Sequence, residues 1–301
     1  MASPNVTVII PAYNGAAFMK DALASVAQQT YQDFEVILVD DGSTDATYEI
    51  ASEAARGWDK LWVIRSEHGG LARARNRALS EARGQWIALL DADDLWLPDK
   101  LEKSIAFLEN HPNQPVVYHP MYLMRRDGKS FRGRYVRCKS GRVTDPLFYR
   151  HFIYDPSAVF HRSVVDAVGP FDQSLPLCVG LEFWLRVSTR FEIGFLAEPL
   201  ARRRCHDDSL TIAGRTCGGR VRCQVLERFY FGRGGREWIR NHRQALRHLA
   251  NVRYRAGMLS LADGDYRTAR EYLKKALRFN PLELRALPFL AWAWLRSLRR
   301  K

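Results

Sequence analysis

Acidic residues are scarce in the last third of this 301-residue chain. Residues 201–301 carry 24 Lys and Arg against 8 Asp and Glu, whereas residues 1–200 carry 22 against 25. The asymmetry marks a composition boundary and a basic segment able to attract nucleic acid, anionic lipid or a phosphorylated substrate. Cysteine is also sparse. The five, at positions 138, 178, 205, 217 and 223, are odd in number and irregularly spaced. That excludes a disulfide scaffold and predicts free thiols in a reducing compartment. Cys205, His206, Cys217 and Cys223 match no common zinc spacing. No apolar run reaches the 18 or more residues of a membrane span, and no charged segment leads into an apolar stretch at the N-terminus. Neither a spanning helix nor a signal peptide is therefore expected, and a cytoplasmic location is.

What is present is the pattern of a soluble α/β protein. With 47% hydrophobic and 26% charged residues, the length suits one large α/β domain with a helical appendage. Asn5 to Ile10, Phe34 to Val39, Lys60 to Ser66 and Gln85 to Leu90 read as strands. Helices are expected after Gly15, from Thr44 or Asp45 to about Arg56, after Gly69-Gly70, and from Pro98. Such alternation implies right-handed βαβ units and a parallel sheet, with ligands beyond the carboxyl ends of the strands. Val116 to Met124 and Phe131 to Val136 flank Arg126-Asp127-Gly128-Lys129, a hairpin signal, and Ser157 to Phe160 reads as a further short strand. Beyond about residue 225 the pattern is helical. The order places domains at 1–222 and 223–301.

Three polar clusters fall at the predicted strand ends. The apolar run Trp86 to Leu90 leads straight into Asp91, Asp93 and Asp94. Three carboxylates beside a buried strand are costly without a nearby positive charge. A divalent cation shared with a diphosphate meets that need, because hard cations take oxygen ligands. Pro11-Ala12-Tyr13-Asn14 can set an aromatic face against a nucleobase or simply pack. Asp40-Asp41-Gly42-Ser43-Thr44-Asp45 can read a base or ribose, or form a turn with a helix cap. Arg73, Arg75 and Arg77, spaced by two on a helix, cannot all face one way, so Arg75 is the candidate for phosphate or Asp contact and the others read as a solvated face.

Taken together, Val-Ile-Ile-Pro-Ala-Tyr-Asn at 8–14, Val-Asp-Asp-Gly-Ser-Thr-Asp at 39–45, Ala-Arg-Asn at 74–76 and Leu-Asp-Ala-Asp-Asp at 90–94 resemble the family 2 glycosyltransferases of the GT-A fold. Gly169-Pro-Phe-Asp172, Phe183-Trp-Leu-Arg186 and Arg204-Cys-His206-Asp-Asp-Ser209 continue the resemblance, which covers roughly residues 4–212. It implies a Rossmann-like mixed sheet and an inverting transferase. The donor would be a nucleotide-diphosphate sugar, UDP-linked by preference, used with Mn²⁺ or Mg²⁺, and the acceptor a glycan or a lipid-linked molecule. By the resemblance Pro11, Ala12, Tyr13, Asp40 and Asp41 hold the nucleotide with Arg75, Asp91 and Ala92. Asp93, with Asp91 and His206, lies at the metal and diphosphate. There is one departure. The family places Glu-Asp shortly before Trp-Leu-Arg, and that Asp is the general base. Here the pair is Val179-Gly180, with Glu182 as the nearby acid and Asp155 and Asp172 as other candidates. Glu182 is the expected base. The alternative is a non-catalytic nucleotide-sugar-binding or scaffold protein on the same fold.

The C-terminal segment resembles one tetratricopeptide unit, through Asp263-Gly-Asp-Tyr266, Ala269, Tyr272, Leu273, Ala276, Leu277 and Asn280-Pro281. Its last stretch, Ala286 to Leu295, is an apolar block with Trp292 and Trp294, followed by Arg296, Arg299, Arg300 and Lys301. Ten helical residues cover about 15 Å, half a bilayer core, so this block can lie in a membrane interface but not span it. The alternative is that the Trp residues cap a helical core. Nucleic acid is not an expected partner.

Overall fold

A computed structural model describes residues 3–131, 139–206 and 215–298. The chain parts into two compact units, residues 1–143 with 151–206, and residues 144–150 with 207–301.

The strands are β1 Val6–Ala12, β2 Phe34–Asp40, β3 Leu61–Arg65, β4 Trp86–Leu89, β5 Leu95–Trp96, β6 Val116–Tyr118, β7 Met121–Arg125, β8 Ser130–Phe131, β9 Val159–His161, β10 Gly194–Phe195 and β11 Ala201–Cys205, all in the first unit. Its helices are α1 Ala16–Ala27, α2 Thr47–Arg56, α3 Leu71–Glu81, α4 Lys100–Asn110, α6 Ser163–Val168 and α7 Val179–Arg190; α5 Thr144–Tyr149 belongs to the second unit. Seven strands form the main sheet in the order β10-β6-β9-β4-β1-β2-β3, and β5-β11-β7-β8 form a second one. The pairs β1–β2, β2–β3 and β1–β4 are parallel, whereas β9 runs antiparallel to both β4 and β6. The sheet is thus mixed, as the GT-A resemblance implies, with its parallel part built from the βαβ repeats of the first ninety residues.

Every residue of β1 and β2 is buried. Strands covered on both faces read as continuous Val and Ile runs rather than alternating ones, and each such side chain contributes about 1.5–3 kcal/mol on burial. Register pairs Ala12 with Asp40, which brings the carboxyl ends of β1 and β2 level. Helix α4 starts at Lys100 rather than Pro98, because Lys100 N bonds Leu97 O and uses Pro98-Asp99 as the entering turn.

The segment expected as one strand from Val116 to Met124 is two. β6 joins the main sheet and β7 the second, with His119-Pro120 between them. Proline lacks the N–H that a continuing ladder needs, so the chain changes sheets there. β7 and β8 then form the expected hairpin around Gly128. Of the strand expected from Phe131 to Val136, only Phe131 lies among the described residues.

The second unit is helical. Besides α5 it holds α8 Arg215–Glu227, a π-helical turn Arg228–Gly232, a 3-10 turn Gly235–Trp238, α9 His242–Ala262, α10 Tyr266–Phe279 and α11 Ala286–Leu298. Side-chain caps start the long helices: Asn241 accepts from Gln244 N and Asp265 from Thr268 N. Ala269, Tyr272, Leu273 and Ala276 are the buried face of α10. Gly257 of α9 lies where a Cβ would stand 2.9 Å from Leu273, so its lack of a side chain permits the close helix crossing. This is the expected tetratricopeptide-like hairpin, extended by α11. Ala286 and Ala293 of α11 pack into the cluster of Leu261, Ala269 and Leu273, whereas Leu287, Trp294 and Leu295 point outward. No described helix is long and apolar enough to cross a membrane.

Candidate functional site

The carboxyl ends of β1, β2 and β4 gather the first polar cluster. Asp41 N donates to Ala12 O, linking the two strand ends. The Asp41 carboxylate accepts from Gly69 N at 2.9 Å and Gly70 N at 2.8 Å, and stands 2.9 Å from His68 Nδ1. Gly42 has φ +73°, and a Cβ there would lie 2.7 Å from His68 N. Glycine is therefore required both for the turn and for the approach of the two loops. Tyr13, 45% exposed, stacks on His68 with ring centroids 4.2 Å apart. Asp40 is fully buried beneath; its Oδ1 accepts from Ser43 N and its Oδ2 is 3.7 Å from Arg65 Nε. A cleft of about 470 Å³ opens beside Asp41, lined also by Ser66, Arg73, Asn76, Arg77 and Gln173. Arg73 and Arg77 thus face this cleft together, one helical turn apart, rather than only solvent.

The second cluster follows β4. Arg75 is fully buried, with Nη2 on Asp91 Oδ1 at 2.9 Å and Nη1 on Asp155 Oδ2 at 2.7 Å. Of the two contacts open to Arg75, phosphate or carboxylate, the described side chains supply the carboxylates. Burial pushes the Asp91 carboxyl up to about 6, Arg75 pulls against this, and Asp155 and Asp93 add repulsion. Burial, with Asp93 and Asp91 nearby, also raises Asp94 well above the usual carboxylate range, although its Oδ1 accepts from Arg204 N at 2.8 Å. The Asp93 carboxylate meets His206 Nε2 at 2.9 Å, and Phe18 lies against the His206 ring. Ala92 sits against Gly15 in the loop after β1, so the two clusters border one another.

Among the described residues no three ligand-type side chains form a ready cluster. The donor set fits a hard divalent cation all the same. Asp93 and His206 already face each other, Asp91 is two residues away, and the charge of Asp93 adds to the repulsion felt by Asp91. Oxygen with one imidazole suits Mn²⁺ or Mg²⁺, whose remaining sites phosphate and water can fill. Asp207, Asp208 and Ser209 lie outside the described residues.

The acceptor-side acids are placed differently. Helix α7 begins at Val179, so Gly180 and Glu182 are both helical and their side-chain directions diverge by about 200°. Glu182 is buried and faces Arg186, its two oxygens each 2.9 Å from Arg186 Nε and Nη2. Arg186 in turn donates to Val168 O, Gly169 O and Pro170 O. Asn76 pairs its amide with both backbone groups of Phe171 at 2.9 Å. These bonds explain why Ala-Arg-Asn, Gly-Pro-Phe-Asp and Phe-Trp-Leu-Arg occur together: they brace one another. Asp172 caps its own turn through Ser174.

Two site residues carry little signal in the sequence. His68 follows β3 in Ser66-Glu-His-Gly-Gly70, at a strand's carboxyl end before a glycine pair, which was the available clue. Arg204 holds the β4 loop through Asp93 O, Arg126 O and Asp21; only its place at the head of Arg204-Cys-His206 sets it apart from its neighbours Arg202 and Arg203.

The architecture is shared by solved glycosyltransferases. S. aureus TarS residues 1–349, in complex with UDP-GlcNAc, matches with a TM-score of 0.66 at 20% identity, covering 98% of this chain and 88% of that one. The mannosyltransferase PcManGT from Pyrobaculum calidifontis, in complex with GDP-Man and Mn²⁺, matches with a TM-score of 0.59 at 19% identity, covering 99% and 85%. At these identities the likeness establishes the GT-A fold. In sequence, an uncharacterized glycosyltransferase of Rickettsia typhi is 30% identical over 220 residues. The match takes in 69% of this chain and 66% of that protein, just under two thirds of the relative's length. The family model described as Glycosyl transferase family 2 matches residues 7–169. That span is more than half of the sequence and includes Tyr13, Asp41, Arg75, Asp91, Asp93 and Asp155, and the chain belongs to glycosyl transferase family 2.

Proposed function

We propose that this protein moves a sugar from a nucleoside-diphosphate donor, a UDP-sugar by preference, onto a hydroxyl of a glycan or lipid-linked acceptor, with inversion at the anomeric carbon. The observation that carries the reading is the convergence of Tyr13, Asp41, Asp91 and Asp93 at the ends of three neighbouring strands, with a cleft beside Asp41 and His206 brought onto Asp93 from the end of β11. In this reading Pro11, Ala12 and Tyr13 offer a surface for the base, and Asp41 fixes its hydrogen-bonding edge. Asp40 supports Asp41 from below. Asp91, oriented by Arg75, faces the ribose with Ala92. Asp93 and His206, with Asp91, would hold Mn²⁺ or Mg²⁺; bound there, the cation supplies positive charge to the departing diphosphate. The TarS complex with UDP-GlcNAc and the PcManGT complex with GDP-Man and Mn²⁺ support a sugar nucleotide in such a fold, and a hexose-type sugar is the class proposed.

The test is calorimetric titration of the full chain with UDP and GDP, with and without Mn²⁺, followed by release of UDP from UDP-sugars. Micromolar, Mn²⁺-dependent binding supports the reading; no nucleotide binding under any condition ends it. The second reading, a non-catalytic sugar-nucleotide binder, is favoured by Gly180 and predicts binding without release.

We further propose that α11 touches the cytoplasmic face of a membrane. Leu287, Trp294 and Leu295 form an exposed apolar stripe at helical spacing, and Arg296 follows. Trp and basic residues suit an anionic interface, at on the order of 1 kcal/mol per basic residue. A lipid-linked acceptor would be met there.

A further inference from the structure

Gly180 has no room for a side chain. A Cβ built on it would lie 2.4 Å from Asp155 Oδ1, 2.5 Å from Oδ2 and 2.8 Å from Cγ. The carboxylate cannot swing aside without cost, because each oxygen is held by a buried donor. Oδ2 accepts from Arg75 Nη1 at 2.7 Å and Oδ1 from Trp184 Nε1 at 2.7 Å. Arg75 and Trp184 are both fully buried. The backbone is fixed as well: Asp155 begins a 3-10 turn with Pro156, and its carbonyl accepts from Ala158 N.

We propose that Asp155 is the acceptor-side carboxylate of the transfer, standing in the volume that a side chain at position 180 would otherwise fill. This rests on the transferase reading above. The acid expected on α7 is supplied instead by the turn before β9. Three features suit Asp155 to the task. A carboxylate oxygen has about two acceptor sites, and each oxygen here uses one on its buried donor, leaving one on each for a hydroxyl. The side chain keeps 12% exposure, so it is not sealed in. The same guanidinium that holds Asp155 holds Asp91 through its other terminal nitrogen at 2.9 Å. Arg75 therefore spaces the acceptor-side acid from the acid that ends β4.

The step balances without any added reactant. The acceptor hydroxyl gives its proton to Asp155 as its oxygen bonds the anomeric carbon of the sugar. The bond from that carbon to the diphosphate oxygen breaks, and the diphosphate leaves with the electron pair. The proton rests on Asp155 until product departs. Glu182 does not compete for this role, since it points elsewhere on α7 and holds Arg186.

The experiment uses the full chain, UDP-N-acetylglucosamine and UDP-glucose with Mn²⁺, and water as acceptor, with UDP release as the readout and UDP affinity by calorimetry as the companion. Asp155→Asn keeps the shape and the Trp184 bond. It is expected to lower release by about a hundredfold, within the range for loss of a general base, with UDP affinity within about twofold of wild type. The second variant moves the acid. Asp155→Ala combined with Gly180→Asp removes the clash and restores a carboxylate, and is expected to release UDP at least tenfold faster than Asp155→Ala alone. Release by Asp155→Asn at the wild-type rate overturns the proposal. So does a folded double variant no faster than Asp155→Ala. A wild-type chain that binds no UDP and releases none overturns the transferase reading itself, a result distinct from either.

Discussion

His206 Nε2 stands 2.9 Å from Asp93 Oδ2, although 113 positions separate the two in sequence. The contact ties the chain after β11 to the loop after β4, and it puts an imidazole beside a carboxylate at the proposed diphosphate site. Asp93→Ala should remove the Mn²⁺ dependence of UDP binding and weaken affinity in Mn²⁺ about tenfold or more, while thermal melting without metal stays close to wild type. Calorimetric titration with and without Mn²⁺ reads both. An Mn²⁺ effect of wild-type size in this variant would overturn the assignment of Asp93 as a metal ligand.

Glu182→Gln separates a structural acid from a catalytic one. The pair with Arg186 is largely buried on both sides, and breaking such a pair costs about 3–5 kcal/mol, less where Gln keeps one of the two bonds. The expected result is a lower melting temperature by several degrees, with UDP release per folded molecule falling only a few-fold. A hundredfold loss of release with an unchanged melt would instead make Glu182 the base.

Lys100 is fully buried, with its ammonium 3.7 Å from the Trp96 ring centroid and no hydrogen-bond partner among the described residues. Burial holds its pKa well below the ordinary lysine value. The unfolded chain therefore binds a proton that the folded chain releases, and this group's contribution to stability rises as pH climbs from the folded pKa toward 10.5. Below the folded pKa, where Lys100 carries its charge, the ring interaction offsets about 0.5–2 kcal/mol of the desolvation cost. Lys100→Met should raise stability at pH 7 by about 1 kcal/mol or more and flatten the slope of stability between pH 7 and 10. Urea unfolding across that range measures both. A variant less stable than wild type at pH 7 would show that the ammonium is favourably held.

The outward stripe of α11 gives a test that leaves the core intact. Deleting the helix would strip Ala286 and Ala293 from the cluster around Leu273, so substitution is preferable to truncation. Leu287→Ser, Trp294→Ser and Leu295→Ser together should abolish co-sedimentation with anionic vesicles at low salt, with the melting temperature within a few degrees. Equal sedimentation of the two proteins, or none by either, would exclude α11 as the anchor.

The first ninety residues were legible because buried parallel strands are written as continuous Val and Ile runs ending in polar loops. Register then does the rest: Ala12 beside Asp40 is enough to bring Tyr13 and Asp41 into one site. The acids after β4 were legible for the same reason, since charge at the end of an apolar strand has few bland explanations. The break at Pro120 was written in the chain too, but a run of Val, Tyr, Met and Leu outweighed one missing N–H. The relation of Asp155 to Gly180 was not legible. It depends on a 3-10 turn and a helix start meeting in space, which neither local pattern encodes. Lys100 was hidden likewise, because at the start of an amphipathic helix a lysine reads as solvent-facing.

The contact at Gly180 also couples two positions in heredity. A carboxylate at 155 and a side chain at 180 exclude each other sterically, so position 180 cannot gain a side chain while the carboxylate stands. Among relatives the two columns should covary, with glycine at 180 wherever 155 is acidic and a smaller residue at 155 wherever 180 carries a side chain. Any exchange of acids between the two positions would pass through a form with neither, or through a displaced backbone. Sorting such chains into active and inactive by residue 180 alone would therefore inspect only half of a two-letter word.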